Sequence, residues 1–303
     1  MPSLSALQTL SNDIASTIET VGNTVVAVHG RSRISSSGVH WQSGIIVTGE
    51  HTIKKEEDIP ITLPSGVTTT ATFVGRDATT DIAVLKLPQD IQLPTANIGD
   101  ASELKVGHLI LALGHADSRG IIASMGTVSA SSGPWRSMLG GAIDQFLRLD
   151  INLSADQEGG PLVDTAGHVC GINTPGPRGT VLAIPAATVN RVVAQLLAKG
   201  RIVRGYLGIG MQPVIIPDHL KQQLSLTTNG GVIVVSVEPN AAADQAGITI
   251  GDVLVELDNR PITDIRDVQA VLDPDSVGKT INARLIRGGQ VLTASIQVLP
   301  RNL

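Results

Sequence analysis

The stretch Leu153–Asp164, LSADQEGGPLVD, sets a carboxylate, Glu158, directly before two glycines and an apolar run that enters a strand. A carboxylate in that place can attack a sugar or a phosphoryl group. Against a peptide carbonyl it would form a mixed anhydride with a poor leaving-group balance, so peptide chemistry through Glu158 as nucleophile is not expected. Ser154 and Ser43 carry hydroxyls, but neither has a spacing that brings it to a base. His51, in SGIIVTGEHTI, and Asp81, in GRDATTDIAVLKL, read alone as a loop histidine and a turn carboxylate. The single Cys170 lies within the apolar pattern HVCGIN and reads as a buried thiol rather than a nucleophile. No set of ligands has metal spacing, so neither a metal nor a cofactor is expected.

The elements that must position these residues are short. From Asn23 to Pro185 runs such as NTVVAVHG, SGIIVTG, DIAVLKL, HLILALG and GTVLAIP alternate with turn residues. That pattern predicts a mainly β fold, a sandwich or a pair of barrels. Ahead of it, Leu4, Leu7, Leu10, Ile14 and Ile18 follow helical spacing, which predicts an amphipathic helix over residues 1–22. PAATVNRVVAQLLAKG predicts a second helix, with Val189, Val192, Val193, Leu196 and Leu197 on one face and Gly200 as its stop. GRIVRG, 200–205, is a short hinge before a second unit of strands and two short helices. The helix in DIRDVQAVL is expected to be capped by Thr263.

The chain has 303 residues, of which 42% are hydrophobic and 16% charged, so it can bury cores in roughly two domains. Aromatics are only 2%, leaving Val, Ile, Leu and Ala to fill the interior. The net charge of −5, with no Lys/Arg stripe, gives no attraction to nucleic acid or anionic lipid. No apolar run reaches the length of a membrane span, and the N-terminus lacks a basic region followed by an apolar core. If the chain is complete, a cytoplasmic location is expected; if a signal segment was trimmed, a periplasmic one.

The second unit resembles a PDZ domain of the bacterial HtrA (Deg) type. YLGIG and VEPNAAADQAGITIGDVLVELDNRPITDIRDVQAVL match that pattern over nearly the whole unit. The resemblance implies a loop whose N–H groups hold a peptide's terminal carboxylate, beside a strand edge that pairs with its main chain. Tyr206, Leu207, Gly208 and Ile209 are the candidates for loop and edge, and Val268 and Leu272 for the side-chain groove. The first unit resembles the same family's chymotrypsin-like double β-barrel. That resemblance places His51 as the general base and Asp81 as the carboxylate that orients it. The family pattern D-x-x-x-N-P-G-N-S-G-G-P-L-V aligns without a gap with Asp150–Val163. Serine then becomes Glu158, and the oxyanion-hole positions before it become Asp156 and Gln157. Asp156 stands where a glycine's N–H helps to hold the oxyanion, and its carboxylate is expected to repel that charge.

The expectation is therefore a protease domain at 23–199 and a PDZ domain at 200–303. The first is disabled at its nucleophile and the second binds unfolded polypeptide or protein C-termini. Active HtrA relatives are possible partners, and so are further copies of the chain. The alternative is an active HtrA-type serine endopeptidase in protein quality control. Residues 1–40 hold no Phe, Tyr or Trp, whereas HtrA trimers are often held by such aromatics near the N-terminus. Glu158 is expected to project toward His51 and to form an ion pair with it.

Overall fold

The computed structural model describes residues 5–300 apart from 33, 118, 227 and the side chain of 275. Leu4, one of the apolar positions of the expected first helix, lies outside the described residues. The chain divides into two compact units between Ile202 and Val203. Among the described residues no helix is long and apolar enough to cross a membrane.

The first unit opens with helix α1 (Ala6–Gly22), capped by Ser5, whose hydroxyl accepts from the Gln8 amide. Six strands follow: β1 (Val25–Val28), β2 (Ser36–Gln42), β3 (Ile45–Thr48), β4 (Ile59–Thr62), β5 (Thr68–Asp77) and β6 (Ile82–Lys86). They close into a barrel in the order β1-β2-β3-β6-β5-β4. Then come β7 (Leu109–Ala116), β8 (Gly120–Ser132), a small hairpin of β9 (Trp135–Arg136) and β10 (Ala142–Ile143), β11 (Phe146–Asp150), β12 (Pro161–Val163), β13 (Val169–Pro175) and β14 (Val181–Pro185). All but the hairpin close a second barrel, β11-β14-β13-β12-β7-β8. Closure leaves no unpaired sheet edge in either barrel.

The two-residue period of a strand explains why these runs are apolar throughout instead of alternating. Val26, Val28, Ile46, Ala83 and Leu85 point into the first barrel. Their neighbours Val25, Ile45, Val47, Ile82 and Val84 point the other way, into a cluster shared with Leu111, Leu113, Val163 and Ile172 of the second barrel. Ile110, Leu147, Leu162 and Cys170 fill the second barrel. Burial pushes the Cys170 thiol up to about 12, so it is an inert core residue. Helix α2 (Ala186–Lys199) seats Val189, Val192, Val193 and Leu196 on the shared cluster. It ends at Gly200, which is left-handed at φ 69°. Leu197, expected on the same face, is 41% exposed. Ile14, Ile18 and Val21 of α1 pack on the same cluster, while Leu7 and Leu10 are exposed.

The second unit carries β15 (Gly205–Tyr206), β16 (Ile209–Ile215), α3 (Asp218–Gln223), β17 (Gly230–Val237), α4 (Ala242–Gln245), β18 (Val253–Leu257), β19 (Arg260–Pro261), α5 (Ile265–Val271), β20 (Thr280–Arg287), β21 (Gln290–Gln297) and β22 (Leu299–Pro300). The sheet runs β16-β17-β18-β20-β21, which leaves β16 at an edge, and β15 pairs with β22. The cap of α5 is Asp264, not Thr263. Asp264 accepts from the amides of Arg266 and Asp267, and the Asp267 carboxylate receives Thr263 in return. A carboxylate facing two orphan amides at a helix start outcompetes the hydroxyl one residue earlier.

Candidate functional site

His51 sits in a single 3-10 turn, Glu50–Thr52, directly after β3. The turn is fixed by Thr52, whose hydroxyl donates to the Gly49 carbonyl at 2.8 Å. Asp81 ends the β5–β6 turn at φ 58°, a left-handed conformation that Asp tolerates better than most residues. Asp77 holds that turn by accepting from the hydroxyls of Thr79 and Thr80 at 2.6 and 2.8 Å. Asp81 then receives the His51 backbone N–H and its Nδ1, each at 2.9 Å, while the Thr174 hydroxyl donates to Oδ2. These contacts together orient the imidazole with its proton on Nδ1.

The far side of the ring faces Glu158. Its Oε2 lies 3.4 Å from His51 Nε2. With Nδ1 already donating to Asp81, a neutral ring offers only a lone pair at Nε2, which an ionised carboxylate cannot bond; a hydrogen bond there needs either the imidazolium or a protonated Glu158. Burial lowers the His51 pKa, but the hydrogen bond and charge of Asp81, then the charge of Glu158, outweigh it and leave it above the ordinary value. Among the described residues, the side-chain hydrogen bonds of His51 run to Asp81 and Glu158 and to no hydroxyl.

The segment before Glu158 forms a 3-10 turn, Ala155–Gln157, capped by Ser154. The Glu158 amide donates inward to the Ala155 carbonyl at 3.4 Å, and the Gln157 amide to Ser154 at 2.9 Å. Gln157 is buried and ties the turn to the second barrel by donating to the Ala112 carbonyl at 2.9 Å. The Asp156 carboxylate differs from expectation. It accepts from Ser35 at 3.0 Å and pairs with Arg119 at 2.9 Å, so its charge is taken up at the rim instead of standing free against an oxyanion. Sequence reasoning also missed Arg31, whose Nη2 lies 2.9 Å from Glu158 Oε2 and donates to the Ala155 carbonyl at 3.0 Å. That loop, between β1 and β2, meets residue 158 where β2 packs on the Ala155–Gln157 turn of the other barrel, more than a hundred residues along the chain, so no local pattern marks it.

An apolar cavity of about 460 Å³, walled in part by Trp135, Ile143, Phe146, Pro175 and Leu182, opens beside Asp81. Pro175 belongs to the stretch NTPGPRG. Among the described residues no group of three or more His, Cys, Asp or Glu is placed to hold a metal ion.

In the second unit Tyr206 lies in β15, and its hydroxyl donates to Glu238 at 2.7 Å. Leu207 is buried, Gly208 is left-handed at φ 75°, and Ile209 begins the edge strand β16. A side chain at 208 would collide with Ala241 as well as strain the backbone. Helix α5 lies against β16. Val268 has no exposure and belongs to the core instead of lining an open groove, whereas Leu272 is half-buried. Ile209, Met211 and Ile265 are half-buried beside the same core, and the last two escaped sequence reasoning because a groove and a core share one periodicity.

The trypsin-like peptidase domain family matches residues 36–172, which include all three residues of the His51 cluster, and the PDZ domain family matches 205–298. The serine endoprotease DegS of Salmonella typhimurium is 30% identical over 276 residues, covering 88% of this chain and 77% of DegS. The "Probable periplasmic serine endoprotease DegP-like" of Bartonella henselae is 33% identical over 253 residues, 82% of this chain and 49% of that protein. The chain spans about half the length of that relative and of its counterpart in Rhizobium meliloti. The crystal structure of the serine endoprotease from Yersinia pestis superposes with TM-score 0.76 at 29% identity, covering 95% of this chain and 98% of the other. The HtrA-type protease AlgW with a decapeptide gives 0.78 at 25% identity, covering 95% and 99%. A double barrel carrying an Asp–His pair, followed by a PDZ domain and matched along its length by these relatives, places this chain in the HtrA/DegP family of trypsin-like serine protease homologues.

Proposed function

We propose that this chain is an HtrA-type protein that holds polypeptides without hydrolysing them through a serine. The observation that carries the reading is the side chain facing His51: a carboxylate at 158, where the family pattern has the nucleophilic hydroxyl. The apolar cavity beside Asp81 and the PDZ edge strand support a role in binding unfolded chains or exposed C-termini. Such a protein serves as a holdase, an adaptor or a regulatory partner of active HtrA relatives, alone or as a homo-oligomer. Relatives named periplasmic favour that compartment over the cytoplasm.

The names of the relatives support a second reading, an active serine endopeptidase. That reading needs another hydroxyl at His51. Ser154 is engaged elsewhere, since its hydroxyl donates to Gln157 at 3.1 Å. A serine-reactive fluorophosphonate separates the two readings. The expected result is no labelling, and casein cleavage no faster than in a His51→Ala control. Cleavage that disappears with His51→Ala would overturn the binding-only reading.

Peptide capture is assigned to the loop Tyr206–Ile209 and the edge of β16. The Leu207 and Gly208 carbonyls accept from Ala243 and Glu238. Their amides have no acceptor among the described residues, which leaves two donors for a terminal carboxylate. Leu272, with Met211 and Ile265, would meet the last apolar side chain, and Val268 would support them from within the core. The full chain is therefore expected to bind peptides with an apolar C-terminal residue, and amidation of that terminus should weaken binding roughly two- to tenfold. Fluorescence anisotropy with matched acid and amide peptides measures this. Equal affinity would reject carboxylate capture at this loop.

A further inference from the structure

Glu158 Oε2 is shared. It lies 2.9 Å from Arg31 Nη2 and 3.4 Å from His51 Nε2, so the guanidinium has the shorter contact. The same Nη2 donates to the carbonyl of Ala155, which also receives the Glu158 amide. One nitrogen therefore grips both ends of the Ala155–Glu158 turn. Among the described residues Arg31 Nε is buried without a partner.

We infer that Arg31 is a positioning residue: it holds Glu158 and the 155–157 turn in the closed arrangement and limits how much of the Glu158 charge reaches His51. The inference rests on the reading of Glu158 as the group facing His51 and adds what controls it. The charged groups around the imidazole are few. Asp81 faces it from the β5–β6 turn and Glu158 from the turn after Ala155, with Arg31 behind Glu158. Glu50, on the histidine's own turn, pairs with Arg76. Removing Arg31 leaves the Glu158 carboxylate free to close on Nε2.

The test is an NMR titration of His51 in four full-length proteins: wild type, Arg31→Met, Glu158→Gln and the double variant. Arg31→Met is expected to raise the His51 pKa by on the order of half a unit, the scale of one nearby charge partly screened by solvent. In the Glu158→Gln background the same change should move it much less, because a neutral amide has no charge to redirect. A distant Arg31 acting only as a bare positive charge would give equal shifts in both backgrounds, and that additive result overturns the inference, as does no shift at all. If Arg31→Met fails to fold, Arg31→Gln, which can still donate to Ala155, carries the same expectation. Failure of Glu158→Gln to lower the pKa relative to wild type would instead reject the Glu158–His51 contact itself, which separates the two claims.

Discussion

Glu158→Ser alone restores little casein hydrolysis, whereas Asp156→Gly combined with Glu158→Ser exceeds the single change by roughly 10²–10³-fold, the usual worth of an oxyanion-hole donor. Supplying the hydroxyl returns the attacking atom to a base that Asp81 already orients. It does nothing for the turn before it. There the Glu158 amide is drawn to Ala155, and Asp156 is tethered by Ser35 and Arg119, with its carbonyl accepting from the Ser37 hydroxyl. An amide committed inside a 3-10 turn is not available to a developing oxyanion. Glycine at 156 removes both side-chain tethers and restores the backbone freedom that the family pattern has there.

The obstacle is therefore mechanical more than electrostatic, since the carboxylate charge is already met by Arg119. Nucleophile and oxyanion donors act as a unit, so their losses and restorations do not add. Initial rates on casein, each normalised to its own His51→Ala version, measure the difference. Equal rates for the single and double variants would mean that Asp156 does not hold the turn shut.

Much of this was legible in residue order. Short apolar runs between turn residues marked a mainly β fold, and the resemblance to the HtrA pattern narrowed it to a double barrel; the gapless alignment around Gly159 and Gly160 put Glu158 in the nucleophile's position, and its Oε2 lies 3.4 Å from His51 Nε2. The misses around the 154–158 turn share one physical origin. Arg31 and Ser35 meet the 154–158 turn from more than a hundred residues away, through a loop that reaches it where the two barrels pack together. Asp156 escaped for the same reason, because what its carboxylate touches is decided by Ser35 and Arg119. Val268 failed differently. Its helical face was read correctly, but periodicity reports only which face is apolar and not whether a groove opens over it.

Glu158→Gln is expected to lower the His51 pKa, because it removes one of the two carboxylates that stabilise the imidazolium. Burial then counts more heavily against the charged ring, while the Asp81 hydrogen bond still favours it. Stability follows by linkage. In the native protein the folded-state pKa of His51 lies above its unfolded value of about 6.5, so protonation favours the folded chain. That contribution is present in full below about pH 6.5 and is lost as pH rises through the raised folded value. The stability difference between wild type and Glu158→Gln should therefore be larger at about pH 5.5 than at about pH 8, by about 1.4 kcal/mol for each unit of His51 shift. What remains at alkaline pH is the lost Arg31–Glu158 contact. Denaturant unfolding of both proteins across this range, alongside the NMR titration, reads both quantities. A deficit independent of pH, with an unchanged His51 pKa, would mean that Glu158 serves Arg31 alone and that LSADQEGG is only a turn.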